Sequence, residues 1–255
     1  MFEVSAFFDN KITSVMKIDQ VDNKKVMQMN IDIEFPSCPC DVLTVGLLDE
    51  MGTYINDDQN TLKRIRLGGK NPNSEAQGLE KTLGEYGPVI SMNDALSKVQ
   101  QLFDDKEGCA IRGYLAMNRV KSKLTFNAEK FGQFLFFSGN RLNLTHTIRY
   151  LSFGRRTHVH TVKNQFQGRY GELSPLNDHT EIVDQYGKVT IYNLNIVPTT
   201  YHDRIGFRYP VFQFAYGIGS DFTGEDSVNF DLSVKGVTVN YYITGDSLLQ
   251  FLTEI

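Results

Sequence analysis

Residues Val26 to Leu48 read VMQMNIDIEFPSCPCDVLTVGLL, and their alternation sets the architecture. Met27, Met29, Ile31, Ile33 and Phe35 fall on one face, with Gln28, Asn30, Asp32 and Glu34 on the other. This is the period-two pattern of a strand with one buried side. Pro36 cannot donate to a ladder and Pro39 stiffens the chain beyond it, after which alternation resumes through Leu43, Val45 and Leu47. The stretch therefore reads as two strands joined by a corner that carries Cys38 and Cys40. Whether CPC is a metal clip, a redox centre or a pinned corner is open at this point.

Beyond Gly108 the same signature recurs in CAIRGYLAMNRV, KLTFNA, FGQFLFF, THVHTV, KVTIYNLNIVPT, FRYPVFQFAYG and SVNFDLSVKGVTVNYYIT, separated by Gly, Asn or Asp turns. Many short strands without intervening helices predict a mainly β chain, a sandwich of two antiparallel sheets. Between about residues 57 and 108 the pattern changes. GGKNPNSEAQG has no period and reads as loop, so little core is expected there. Within this insertion SMNDALSKVQQLF places Met92, Leu96, Val99 and Phe103 at helical spacing behind a Ser91 N-cap, which predicts one short helix. With 255 residues and 41% hydrophobic composition, residues 1–255 can form a single β-sandwich domain carrying that insertion.

Composition removes several classes of function. Twenty-six Lys and Arg against 30 Asp and Glu leave a formal charge of -4, without the basic footprint of a nucleic-acid binder. No run approaches the roughly 18 apolar residues of a membrane span, and the N-terminus lacks the plan of a signal peptide. Three cysteines suit neither a disulfide-dense scaffold nor a four-ligand zinc site, and an odd count leaves one thiol without an internal partner. Phosphate loops, G-x-S-x-G elbows and H-E-x-x-H helices are absent, so neither a cofactor nor a catalytic residue is assigned. Ser174 near Asp178-His179 reads as a polar turn after Pro175, because adjacency in sequence does not assemble a triad.

Two short motifs carry chemistry. Asn143-Leu144-Thr145 is an N-glycosylation acceptor. His158 and His160 in HVH are two residues apart, so on a strand they project from one face and can titrate together.

Several phrases, read in order, resemble the lumenal domain of the ERGIC family of endoplasmic reticulum vesicle proteins, cargo receptors that cycle between endoplasmic reticulum and Golgi. They are MNIDIEFPSCPCDVLTVGLLDEMG (29–52), GCAIRGYLAMNRVKSKLTF (108–126), LNLTHTIRYLSFG (142–154), LSPLNDHTEI (173–182), VTIYNLNIVPTTY (189–201) and VNFDLSVKGVTVNYYITGDSLLQFLTEI (228–255). The resemblance implies a lumenal β-sandwich between two membrane helices that are absent from this sequence. Residues 57–108 lack the cysteine cluster of one family branch, which makes the chain more similar to the cysteine-poor partner branch. Implied partners are protein cargo, a paralogous receptor subunit in a heteromer and, through missing cytosolic tails, a vesicle coat. Endoplasmic reticulum, intermediate-compartment and Golgi membranes are the implied location.

The resemblance also assigns residues. Cys40 and Cys109 match the family's cysteines in its FPxxPC and GC phrases, implying a disulfide with Cys38 left free. In a lumenal protein Asn143 becomes a glycosylation site. Cargo bound in one compartment and released in a more acidic or less acidic one needs groups that titrate between, which nominates His146, His158, His160 and His179 as pH-sensing residues. Tyr54, Tyr86, Tyr170 and Tyr201 are candidate aromatic anchors for a partner, on loops of the sandwich. The expected function is non-enzymatic cargo or partner binding. The alternative is a lectin-like sandwich that reads glycans by aromatic stacking.

Overall fold

The computed structural model describes residues 11–18, 26–53, 61–69, 71–76, 97, 100–101, 103–128, 142–166, 171–203 and 205–244. The fold is mainly β, with strands β1 (Lys11–Ile18), β2 (Val26–Phe35), β3 (Thr44–Asp49), β4 (Leu62–Leu67), β5 (Glu75–Ala76), β6 (Gly108–Asn118), β7 (Ser122–Asn127), β8 (His146–Gly154), β9 (His179–Glu181), β10 (Lys188–His202), β11 (Arg208–Phe222), β12 (Ser227–Val234) and β13 (Val237–Thr244). A helix, α1, spans Arg156–Phe166. Rather than two separate sheets, the strands form one continuous 13-stranded sheet, in the order β3-β7-β12-β10-β11-β8-β2-β6-β4-β5, which curls into two layers, β3-β7-β12-β10-β11 and β8-β2-β6-β4-β5. The layers meet at a seam of only two residue pairs, Val211↔Gly154 and Phe212↔Phe153, where β11 passes from β10 to β8. They face each other across a common core, in which Phe35 of β2 lies 5.4 Å from Phe126 of β7 and Phe153 of β8 lies 5.2 Å from Phe214 of β11.

β2 behaves as its alternation dictates, with Met27, Met29, Ile31, Ile33 and Phe35 all buried. The long strand β10 organises the other layer. It is antiparallel to β11 along its whole length and parallel to two strands laid end to end, β12 over Val189–Ile196 and β13 over Thr199–His202. Pro198, which has no N–H, falls in the gap between these two parallel ladders, where that donor is not needed. The sheet therefore carries two parallel pairs that alternation alone does not reveal.

Successive side chains of β10 and β11 point to opposite faces, so the layer has an outer side as well as a core side. Tyr192, Leu194, Ile196, Phe212 and Phe214 join the main core. Tyr201 and Val211 face the other way and form a second cluster with Val159, Val162 and Phe166 of α1.

Here one expectation is corrected. THVHTV is not a strand: Val159, Val162 and Phe166 recur at helical spacing, and α1 buries them on the outer face of β11. The β-branched Thr and Val residues suggested a strand, but burial of that apolar stripe outweighs their weak intrinsic preference. In the insertion, LKRIRL forms β4, the neighbour of β6, and GGKNPNSEAQG supplies the turn to β5, whose Ala76 is buried in the main core. Of the SMNDALSKVQQLF helix, residues 97, 100, 101 and 103 are helical, as is Asp104 just beyond it, and Ser91, Met92, Leu96 and Val99 lie outside the described residues, as does FGQFLFF.

Candidate functional site

The corner after β2 is a tight turn in which the N–H groups of Val42 and Leu43 both donate to Pro39 O at 3.2 Å. It places Cys40 against the start of β6, and the structure contains a Cys40–Cys109 disulfide with Cα atoms 4.6 Å apart. Gly108 makes that approach feasible, because a Cβ there would stand 2.7 Å from Pro36 O and 2.8 Å from Phe35 O. Beside the bridge, Arg66 of β4 donates through Nη1 to Glu107 Oε1 at 2.6 Å and through Nη2 to Asp41 Oδ2 at 2.7 Å. Burial works to lower the Arg66 pKa, but its hydrogen bonds to Glu107 and Asp41 outweigh that and raise it. Cys38 is the free cysteine, buried, and burial pushes its thiol far up, away from the reactive thiolate.

A second polar cluster lies where β9 pairs with β8, with His146 opposite Glu181 and Ile148 opposite His179. His146 is fully buried. Its Nδ1 lies 2.8 Å from Leu144 O, which can only accept, so Nδ1 carries the proton and Nε2 accepts from the Tyr192 hydroxyl at 2.8 Å. Burial pushes the His146 pKa down to about 4, against the Leu144 hydrogen bond and the charge of Glu181. Tyr192 also meets His179 edge to face, with ring centroids 6.1 Å apart, and His179 approaches Tyr216. His179 Nε2 is buried without a hydrogen-bond partner, 4.0 Å from Glu181 Oε2, while Lys188 donates to Glu181 Oε1 at 3.2 Å. A proton arriving at His146 puts a charge in the core and removes the acceptor of Tyr192.

The structure distributes the remaining candidates. His146 and His179 share one cluster. His158 and His160 share nothing, because a separation of two residues turns them to nearly opposite sides of α1: His158 packs against Tyr209, whereas His160 is exposed beside Asn164. The same-face reading of HVH is thereby corrected. Tyr201 is not a surface anchor. It is 1% exposed, stacked on Tyr241 at 4.9 Å, its hydroxyl accepts from Gln213 Nε2 at 2.7 Å, and burial pushes its pKa up to about 12. Its position on the outer side of β10, under α1, covers it. Tyr54, Tyr86 and Tyr170 lie outside the described residues. Asn143 is exposed, its Oδ1 accepting from the Thr145 N–H at 2.9 Å. Ser174 receives a hydrogen bond from Lys163 rather than from a histidine. Sequence reading missed Glu181, Lys188, Tyr192 and Tyr216 altogether. The only signal was the i, i+2 spacing of His179 and Glu181, which places both on one face of β9. Among the described residues no group of three or more His, Cys, Asp or Glu side chains is arranged to hold a metal.

Fold and site together define a mainly β domain pinned by one disulfide, with a polar cluster around His146 and His179 set between its strands. The sequence profile described as Endoplasmic reticulum vesicle transporter matches residues 93–255, and that of the Endoplasmic Reticulum-Golgi Intermediate Compartment (ERGIC) matches residues 1–56. The chain belongs to the endoplasmic reticulum vesicle transporter family. It is 24% identical to the ER-derived vesicles protein ERV46 of Saccharomyces cerevisiae over 76% of its own length and 64% of that protein's. It is 21% identical to Endoplasmic reticulum-Golgi intermediate compartment protein 1 of Xenopus laevis, over 99% of its length and 74% of that protein's. The chain thus spans about two thirds of the yeast relative. The crystal structure of Erv41p shares the fold, with a TM-score of 0.58 over 89% of this chain and 99% of that one, at 15% identity. Membership places the chain among endoplasmic reticulum vesicle transporters.

Proposed function

We propose that this chain is the lumenal domain of a membrane-anchored receptor that binds protein cargo, or a paralogous subunit, as it cycles between endoplasmic reticulum and Golgi. Family membership carries the reading. The Cys40–Cys109 disulfide supports the lumenal side, since such bridges persist in oxidising compartments. No described helix is long and apolar enough to cross a membrane. Cargo exchange follows compartment acidity through the cluster of His179 with Glu181, Lys188, Tyr192, Tyr216 and His146.

The test is affinity capture of secretory-pathway proteins on the chain expressed with a secretory leader, at near-neutral and mildly acidic pH. The expected result is a bound set that differs between the two conditions, with the difference shrinking in His179→Gln. The same preparation should carry a glycan mass that Asn143→Gln removes. An identical bound set at both pH values, for both proteins, would end the acid-exchange reading. A capture limited to glycan-bearing proteins and abolished by deglycosylation would replace it with the lectin one.

A further inference from the structure

β10 and β11 form a hairpin whose last pair is His202↔Arg208. Its tip is held by hydrogen bonds rather than left loose. Asp203 Oδ1 accepts from the N–H groups of Ile205 at 3.0 Å and Phe207 at 2.8 Å, and the Asp203 N–H donates to Phe207 O at 3.1 Å. The Tyr209 hydroxyl fixes the other carboxylate oxygen at 3.1 Å, and Gly206 adopts φ +93°, the left-handed region that glycine enters without strain. The tip's one carboxylate is thereby committed to its own backbone. What the tip presents outward is apolar: Ile205 is 83% exposed and Phe207 61%. Arg208 stands exposed at the base, and Arg204 precedes Ile205 in sequence.

The place of the tip gives it meaning. β13 runs parallel to β10 with Tyr242 beside His202, and β1 runs antiparallel to β13 with Lys11 opposite Thr244. The hairpin tip, the start of β1 and the end of β13 therefore lie at one end of the sheet. The sequences that adjoin that end, MFEVSAFFDN (1–10) and GDSLLQFLTEI (245–255), are rich in Phe and Leu. Both apolar sequences thus join described strands, at Lys11 and Thr244, at the end of the sheet where Ile205 and Phe207 are held out. Two side chains are far too little for a protein interface, which takes about 800 Å² from each partner. A bilayer interface needs no complementary shape, and it accepts apolar side chains flanked by arginine at headgroup depth.

We infer that the β10–β11 hairpin tip docks on a bilayer surface, inserting Ile205 and Phe207 with Arg208 at the headgroups, and so sets the tilt of the domain on its membrane. This goes beyond the receptor reading and is independent of any cargo.

The chain has no tryptophan, so a single introduced one is a clean reporter. Phe207→Trp reports on the tip. Tyr186→Trp, at a 67% exposed position just before the opposite end of β10, is the control. Each is titrated with phosphatidylcholine vesicles, with and without phosphatidylserine. Phe207→Trp should shift to the blue and be quenched by brominated lipid in both mixtures, and Tyr186→Trp should not change. Ile205→Ser with Phe207→Ser should weaken vesicle co-sedimentation by about tenfold or more, with an unchanged melting temperature. Equal behaviour of the two reporters, or co-sedimentation that survives the double substitution, would overturn the inference. So would a Phe207→Trp shift that appears without lipid and grows with protein concentration, which is the mark of a second copy on the tip.

Discussion

The Cys40 corner and the His146 cluster are both polar groups set into the same apolar core, and they solve the cost of burial in opposite ways. At the corner the charges are permanent: Arg66 answers Glu107 and Asp41 directly, and a covalent bridge holds the strands that bring them together. At the other cluster the buried member is neutral, satisfied by Leu144 O and the Tyr192 hydroxyl, and charge is confined to the half-buried pair of Glu181 and Lys188. The first arrangement is a fixture. The second stays satisfied only while His146 remains unprotonated.

That contrast can be broken or sharpened by experiment. Cys109→Ser should have the largest effect, because the bridge closes a 69-residue separation. The chain-entropy model gives about 4 kcal/mol, a fall in melting temperature of roughly 10 °C by scanning fluorimetry. Cys38→Ala should cost only about 1 kcal/mol, and equal losses from the two would mean that the corner is not held by this pair. Next, Arg66→Met strands two buried carboxylates and should cost about 3 kcal/mol by urea denaturation. A neutral result would show that solvent reaches the corner.

A third effect depends on pH. The folded value of His146, about 4, lies below the ordinary 6.5, so the unfolded chain takes the proton first. The stability contributed by keeping this histidine neutral is complete above pH 6.5 and is lost as pH falls toward 4. The expected loss between pH 8 and pH 5 is about 2 kcal/mol. His146→Phe should start less stable, because it leaves Tyr192 without its acceptor, yet fall less steeply with acid. Parallel slopes for the two proteins would remove the difference between the clusters.

The corner was legible because its information is local. Two prolines interrupt an alternating run, whereas the partner of Cys40 came only from the family resemblance of the FPxxPC and GC phrases, and the close approach at Gly108 is visible only in the fold. The His146 cluster was legible only in its histidines. Its partners come from β10 and β11, and nothing in the sequence near His146 announces Tyr192. Tyr201 misled for a related reason. Reading one strand gives two faces without saying that α1 will cover the second, and α1 was itself disguised by β-branched residues. The parallel ladders on β10 leave a trace only in Pro198, which is readable once the two partner strands are known.

The pairing of β1 with β13 also has a consequence in time. The first described strand bonds along its full length to the last, more than two hundred residues later. Strand β10 likewise receives both of its parallel neighbours only after residue 227. At synthesis rates of about 5–20 residues per second, the leading strand waits tens of seconds for its partner. With the chain's exposed apolar residues waiting as well, the slow closure expected of long-range β pairing becomes a period of dependence on chaperones. A truncation near the C-terminus would therefore unseat the beginning of the domain.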